Sequence, residues 1–276
     1  MNVKWLLERD VFHEDLDPIK DAITAAGMEY KEVRYVPLGA PNNFYEYYGQ
    51  NECVIAYGSI NFTAAVNRET NWYPGVWGNR KNLECTSYYP RLGKFLLNSE
   101  YIMLPYGELK RAKHHLFNIL DKFASGGIFL RPNSPLKSFT GQVVSWTRFD
   151  EDVNRLGFYD VEPEHLVIAS SMKEIKLEWR MIVIDGSVVA GSQYKEDTLT
   201  QIREEVPIEV WDYAQVIANE YRLDDAYVID IGKSFDELKM IEVNSFSSSG
   251  WYLANKPILV NAAAELAVKQ YEEHYG

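Results

Sequence analysis

The stretch Met240-Ile241-Glu242-Val243-Asn244-Ser245-Phe246, with Asp230 twelve residues before Glu242 inside Tyr227-Val228-Ile229-Asp230-Ile231, constrains this chain more than any other feature. Both segments read as strands that carry oxygen ligands. Side chains alternate faces along a strand, so Glu242 and Asn244 share one side while Ile241 and Val243 point to the other, into a core. If the two strands are neighbours joined by a turn from Gly232 to Glu237, Asp230 supplies the third oxygen group of one cluster. So sparse a set suits Mg²⁺, which leaves its remaining positions to water and substrate phosphates; a metal-nucleotide complex, ATP first, is the expected occupant.

Around that cluster the chain has the pattern of an α/β protein. Val3 to Leu7 is strand-like, and Asp17-Pro18 through Gly27 has the capping Asp, first-turn Pro and terminal Gly of a helix. Tyr30 to Val36 alternates as a strand does, and the apolar run Glu52 to Ser59 ends in a turn before a helix from Ile60 to Arg68. Strands alternating with helices imply a parallel layer. Residues 70–93, rich in Trp, Tyr, Asn, Gly and Pro, have no clear period and read as a long ordered loop whose aromatics pack. A helical period over Glu108 to Phe123 puts Leu109, Leu116, Ile119, Leu120 and Phe123 near one face; His114 and His115 on it read as solvated.

Ile128-Phe129-Leu130-Arg131-Pro132 is a short buried strand ending in a cation, and the loop after it holds Lys137 and closes at Gly141. Such a loop can cover phosphates, but it lacks the Walker spacing, and taken alone a plain surface loop explains it better. Leu166 to Ser171 reads as a linker strand. Glu178 to Tyr194 reads as a hairpin turning at Asp185-Gly186, with Glu178 and Arg180 on one face, where a structural ion pair is an equal reading.

Composition sets limits. The 276 residues can bury a large core as one domain or two, and the net charge of −12 argues against a broad grip on nucleic acid or on an anionic membrane surface. No apolar run approaches the roughly 20 residues that span a bilayer, and no signal-peptide block follows the start, so a cytoplasmic location is expected. Cys53 and Cys85 lie far apart with no partner at metal-binding spacing and read as free thiols.

Order adds what the single motifs lack. An Arg-Pro strand, a lysine loop closing at glycine, an apolar linker, Glu178-Trp179-Arg180 before a hairpin, then Asp230 and Glu242-Val243-Asn244-Ser245-Phe246 together resemble the ATP-grasp superfamily over roughly residues 100 to 260. The likeness is closest to its RimK-like amide-forming ligases, in a small clade with Arg-Pro on that strand and forms such as Lys137-Ser138-Phe139-Thr140-Gly141. Arg131 departs from the lysine common on the corresponding strand; its planar fork makes a different contact.

The resemblance implies an ATP-grasp fold with the nucleotide between two α+β lobes, about 101–168 and 169–276, after an N-terminal α/β domain over 1–100. It implies that Arg131, Lys137, Ser138, Thr140 and Gly141 cover the phosphates of ATP, that the backbone of Val167, Ile168 and Ala169 faces the adenine, and that Glu178 holds the ribose. Arg180 and Lys137 would be catalytic; Asp230, Glu242 and Asn244 would bind Mg²⁺; Ser247, Ser248, Ser249 and Gly250 would receive substrate. The implied reaction joins a small-molecule or peptide carboxylate to an amine through an acyl phosphate, in a pocket built by residues 1–100 with Trp72, Tyr73, Trp77, Tyr88 and Tyr89. An ATP-binding regulatory module without turnover and a kinase-like phosphotransferase of the same fold stay open beside it. Neither the pair being joined nor an oligomeric state is legible.

Overall fold

The computed structural model describes residues 2–37, 43–122, 126–157, 161–197 and 199–276. Its first sheet is parallel. β1 (Lys4–Glu8), α1 (His13–Ala25), β2 (Glu29–Val33), β3 (Cys53–Tyr57), α2 (Ile60–Glu69) and β4 (Tyr73–Gly75) give the order β2-β1-β3-β4, as strand-helix alternation implies. α1 starts a turn earlier than Asp17-Pro18 suggests, and Pro18 lies inside it. The extra turn carries Asp15, whose buried carboxylate accepts from the backbone N–H of Trp251 at 2.7 Å and pairs with Lys256 at 2.7 Å, a tertiary tie that local capping signals do not contain.

Residues 70–93 are not one continuous loop. Beyond β4 they form α3 (Arg80–Leu83) and α4 (Cys85–Leu92). Burial of Cys85, Tyr88, Tyr89 and Leu92 against the third sheet supplies the order that so short a helical period cannot.

The second sheet is antiparallel. β5 (Tyr101–Pro105), α5 (Leu109–Leu120), β6 (Gly127–Pro132), β7 (Gln142–Ser145), α6 (Phe149–Leu156) and β8 (Leu166–Ser171) give the order β5-β8-β6-β7 with both helices packed on it. On α5, Phe117 joins Leu109, Leu116 and Leu120 in the core by packing edge-on to Trp146 and Phe149, while Ile119 is exposed; Phe123 lies outside the described residues.

β9 (Leu177–Ile184), β10 (Ser187–Glu196), β11 (Leu199–Arg203), α7 (Ile208–Glu220), β12 (Ala226–Ser234), β13 (Glu237–Ser245) and α8 (Lys256–Tyr275) complete the chain, with sheet order β11-β10-β9-β12-β13. Asp185 and Gly186, with φ of 47° and 80°, form the expected hairpin turn. The β12–β13 turn is tighter than the expected Gly232 to Glu237, because Phe235 and Asp236, at φ 49° and 64°, make it alone.

Alternation splits this third sheet. Trp179, Met181, Val183, Tyr227, Ile229 and Ile231 face α4 and α7. On the other face, Ile182, Ile184, Ala226 and Val228 lie under α8, which joins them to Trp5, Leu7 and Ile55 of the first sheet in one core. Farther along that same face the side chains turn polar: Glu178, Arg180, Asp230, Glu242 and Asn244.

One expectation fails here. A bulge pairs Asp230 with Glu242 but Ile231 with Met240, leaving Ile241 as the extra residue. Met240 therefore joins Val243 in the core, and Ile241 turns to the polar side.

Among the described residues no helix is long and apolar enough to cross a membrane. Cys53 and Cys85 are both buried free thiols, and burial pushes the Cys53 thiol up to about 11. Neither thiol is expected to react with an aromatic disulfide reagent at pH 8 until denaturant is added, when both should; prompt labelling of the folded chain would contradict this packing.

Candidate active site

Between the second and third sheets lies a cleft of about 370 Å³. Glu178, Ile241, Glu242 and Asn244 line it from the third sheet, and Phe129, Arg131, Lys137, Thr140 and Gly141 from the second. Two local features shape the loop above it. Lys137 sits at φ 51°, a left-handed conformation uncommon for a side-chain-bearing residue. Gly141 passes so close to β6 that a Cβ there would lie 2.8 Å from Phe129 Cζ.

The floor carries a row of charges fixed by strand register. Arg180 on β9 is opposite Asp230 on β12, which is opposite Glu242 on β13. Arg180 Nε and Nη2 each donate to Asp230 at 2.8 Å, and its Nη1 donates to Gly250 O at 3.0 Å. From the other side of the cleft, Arg131 donates to Glu242 at 2.9 Å and Lys137 at 3.4 Å. Asn244 bridges the acids, its Nδ2 donating to Asp230 at 3.1 Å and to Glu242 at 3.0 Å. Burial opposes the charge of Glu242, yet Arg131, Lys137 and the Asn244 hydrogen bond hold its pKa down to about 2. Asp230 moves the other way: burial raises it in spite of Arg180.

The donor chemistry fits Mg²⁺. Among the described residues no three His, Cys, Asp or Glu gather as a metal cluster, so the set is a carboxylate pair completed by an amide. Two carboxylates and an amide are the hard oxygen donors that ion takes. The amide orientation of Asn244 is a choice of assignment, and a flip turns Oδ1 toward the acids. Lys137, half exposed and in the longest of these contacts, is the cation most easily drawn away from Glu242.

The residues that the motifs single out divide between this cleft and its surroundings. Arg131, Lys137, Thr140, Gly141, Glu178, Glu242 and Asn244 line the cleft; Ser138 stands in the covering loop but off its wall. Val167, Ile168 and Ala169 do not face it: β8 is an interior strand paired with β5 and β6, so its backbone groups are spent within the sheet and these side chains are fully buried. The chain just beyond them, Ser171, Lys173 and Ile175, forms that wall instead. Arg180 and Asp230 lie behind the floor, where Arg180 also stands over the rings of Tyr194 and Tyr252, at 5.4 and 5.0 Å. Glu178 accepts from Tyr194 and Lys195, both at 2.6 Å, and these two partners escape a motif-based reading.

Beside the cleft opens a second cavity of about 800 Å³, between the first sheet's helix α2, the 73–83 segment and the end of β13. The two spaces share Leu83, Pro135, Lys137 and Asn244. Ser248, Ser249, Tyr73 and Trp77 line the second cavity; Ser247, whose Oγ accepts from Trp77 N at 3.1 Å, and Gly250 do not. Trp72, Tyr88 and Tyr89 are buried in cores rather than exposed to it.

A family model described as the ATP-grasp domain, R-to-K clade family 2, matches residues 112–261. No curated protein matches the chain. Among solved structures, D-cycloserine synthetase DcsG superposes with a TM-score of 0.67 at 13% identity, covering 96% of this chain and 100% of that one. D-alanine–D-alanine ligase from Bacillus anthracis gives 0.60 at 12%, covering 99% of both chains. The ATP-grasp ligase PsnB, complexed with a minimal precursor, gives 0.56 at 13%, covering 98% of this chain and 99% of that one. These likenesses are of fold.

Asp230→Ala leaves Arg180 buried without its counter-charge, so a stability loss of about 3–5 kcal/mol is expected in denaturant titration. A loss below about 1 kcal/mol, the scale of an exposed pair, would mean the two are not paired in solution.

Proposed function

Since the chain belongs to the ATP-grasp family, we propose that it is an ATP-dependent carbon-nitrogen ligase that activates a carboxylate as an acyl phosphate and transfers it to an amine. The observation that carries this reading is the shared wall. A cleft holding Arg131, Glu178 and Glu242 meets a larger cavity at Lys137 and Asn244, so a nucleotide in one and an acceptor in the other would touch there.

The roles follow from charge. Carboxylate and γ-phosphate are both anionic, and Arg131 and Lys137 offset their repulsion and hold them in line. The carboxylate oxygen bonds to the γ-phosphorus as its bond to the β-phosphate oxygen breaks, releasing ADP. The amine then attacks the acyl carbon, phosphate leaves with the C–O electron pair, and the amine gives up a proton. Thr140 and Gly141 close over the phosphates, Phe129, Ile175 and Ile241 offer the base apolar walls, and Glu178, oriented by Lys195 and Tyr194, meets the ribose hydroxyls. Asp230, Glu242 and Asn244 would hold Mg²⁺, which when bound neutralises phosphate charge. With its fork spent on Asp230 and Gly250, Arg180 acts as a positioning residue for the acid and for the loop that follows β13.

Release of ADP and phosphate is expected only when a carboxylate and an amine are both supplied. A phosphorylated product accumulating without amine would instead mark a kinase, and ATP binding with no release a silent module. Glu242→Ala is expected to lower turnover at least about 100-fold at ordinary Mg²⁺; a normal rate would remove the metal assignment. Lys137→Ala should fold normally and use ATP about 10- to 100-fold less well, the worth of one charge-assisted hydrogen bond; an unchanged KM and kcat would take the loop out of the mechanism.

A further inference from the structure

The larger cavity has a charge at odds with the rest of the molecule. In a chain of net charge −12, its lining includes four cations, Arg68, Arg80, Lys81 and Lys137, against two acids, Asp224 and Asp225. Both acids are already engaged. Asp224 accepts from the backbone N–H of Asn79 at 2.9 Å and of Asp225 at 2.8 Å, and Asp225 pairs with Arg222 at 2.6 Å and accepts from Gln270 at 2.5 Å. Arg68 is paired with Glu69, and Lys137 with Glu242. Arg80 and Lys81 are exposed, and neither has an ion-pair partner among the described residues.

These two cations are held in fixed relation to the reacting wall. Asn79 caps the turn of helix they begin, its side chain accepting from Lys81 N at 3.1 Å. Just before it, Gly78 presses on β13 so closely that a Cβ would lie 2.4 Å from Ser245 Oγ, which itself donates to Trp77 O at 2.7 Å. Ser245 is the residue after Asn244, so the Arg80-Lys81 pair is anchored to the strand that carries the shared wall. The cavity is also more than twice the volume of the nucleotide cleft, about 800 against 370 Å³. Pockets of about 300–1,000 Å³ take drug-sized ligands, so this one has room for more than a single small amino acid.

Building on the ligase reading, we infer that the carboxylate substrate is an extended molecule with at least one further negative charge, its reacting carboxylate at Lys137 and Asn244 and its second anionic group at Arg80 and Lys81. The opposite-charge contact steers the substrate and selects among carboxylates that the phosphoryl-transfer machinery alone would not tell apart.

Tri-glutamate, tri-alanine and tri-lysine, titrated calorimetrically into the full chain with Mg²⁺ and a non-hydrolysable ATP analogue, test this. Tri-glutamate is expected to bind about ten-fold or more tightly than tri-alanine, with tri-lysine weakest. The double variant Arg80→Glu with Lys81→Glu should abolish that order, with affinity for the ATP analogue serving as the folding control. Equal binding of the three, a preference for tri-lysine, no binding of tri-glutamate, or an unchanged order in the double variant overturns the inference. Adding ATP and hydroxylamine separates it from the ligase reading. A hydroxamate of tri-glutamate supports both; a charge preference without any hydroxamate removes the ligase and keeps the charge assignment; a hydroxamate of tri-alanine with no charge preference does the reverse.

Discussion

Four charges in one row hold the centre of this molecule together. Arg180, Asp230 and Glu242 lie side by side on three neighbouring strands, and Arg131 reaches across from another sheet to close the row. Buried carboxylates are tolerated only with partners this close, since an isolated ion in an apolar interior is strongly unfavourable. The row therefore fixes more than itself. It binds the second sheet to the third through Arg131, and it sets the loop after β13 through the Arg180 bond to Gly250 O. It also leaves Glu242 and Asn244, but not Asp230, on the wall of the cleft.

The N-terminal sheet takes part in the same construction. Tyr57 donates to Ser249 O at 2.9 Å, Gly58 N to Ser247 O at 2.9 Å, and Asp15 holds the backbone at Trp251, so the loop from Phe246 to Tyr252 is fastened from the first sheet's side. Phe246 and Trp251 add an apolar anchor, their ring centroids 4.9 Å apart and packed on Trp77 and Tyr57. Since α8 lies in one core with both the first and third sheets, the geometry of the larger cavity is set by the whole chain rather than by the segment that carries the motifs.

What could be read beforehand follows from this division. Glu242 and Asn244 share a face because alternation is local, and the Asp185-Gly186 turn is a local signal as well. Asp230 joins them because two strands with a tight turn pair in one way. Ile241 escaped because a bulge is set by how β13 fits β12, and nothing in Met240-Ile241-Glu242 announces it. Lys195 escaped for the same reason. Counting back from the hairpin turn puts Gln193 opposite Glu178, and two register shifts along β10 bring Lys195 there instead. The expectation for Val167 to Ala169 named the right strand but the wrong part of it: those residues are interior to the sheet, and the chain meets the cleft only where pairing ends, from Ser171 onward. α4 within residues 70–93 is stabilised by burial against a sheet formed a hundred residues later, which no short-range pattern encodes.

A crystal structure with Mg²⁺ and a non-hydrolysable ATP analogue tests the central claim most directly. The triphosphate is expected in the cleft between Arg131 and Lys137 on one side and Glu242 and Asn244 on the other, with a metal ion on Glu242 and Lys137 turned from that carboxylate to a phosphate. A nucleotide bound elsewhere, or one in the cleft while Glu242 still holds both cations and no metal, would contradict it.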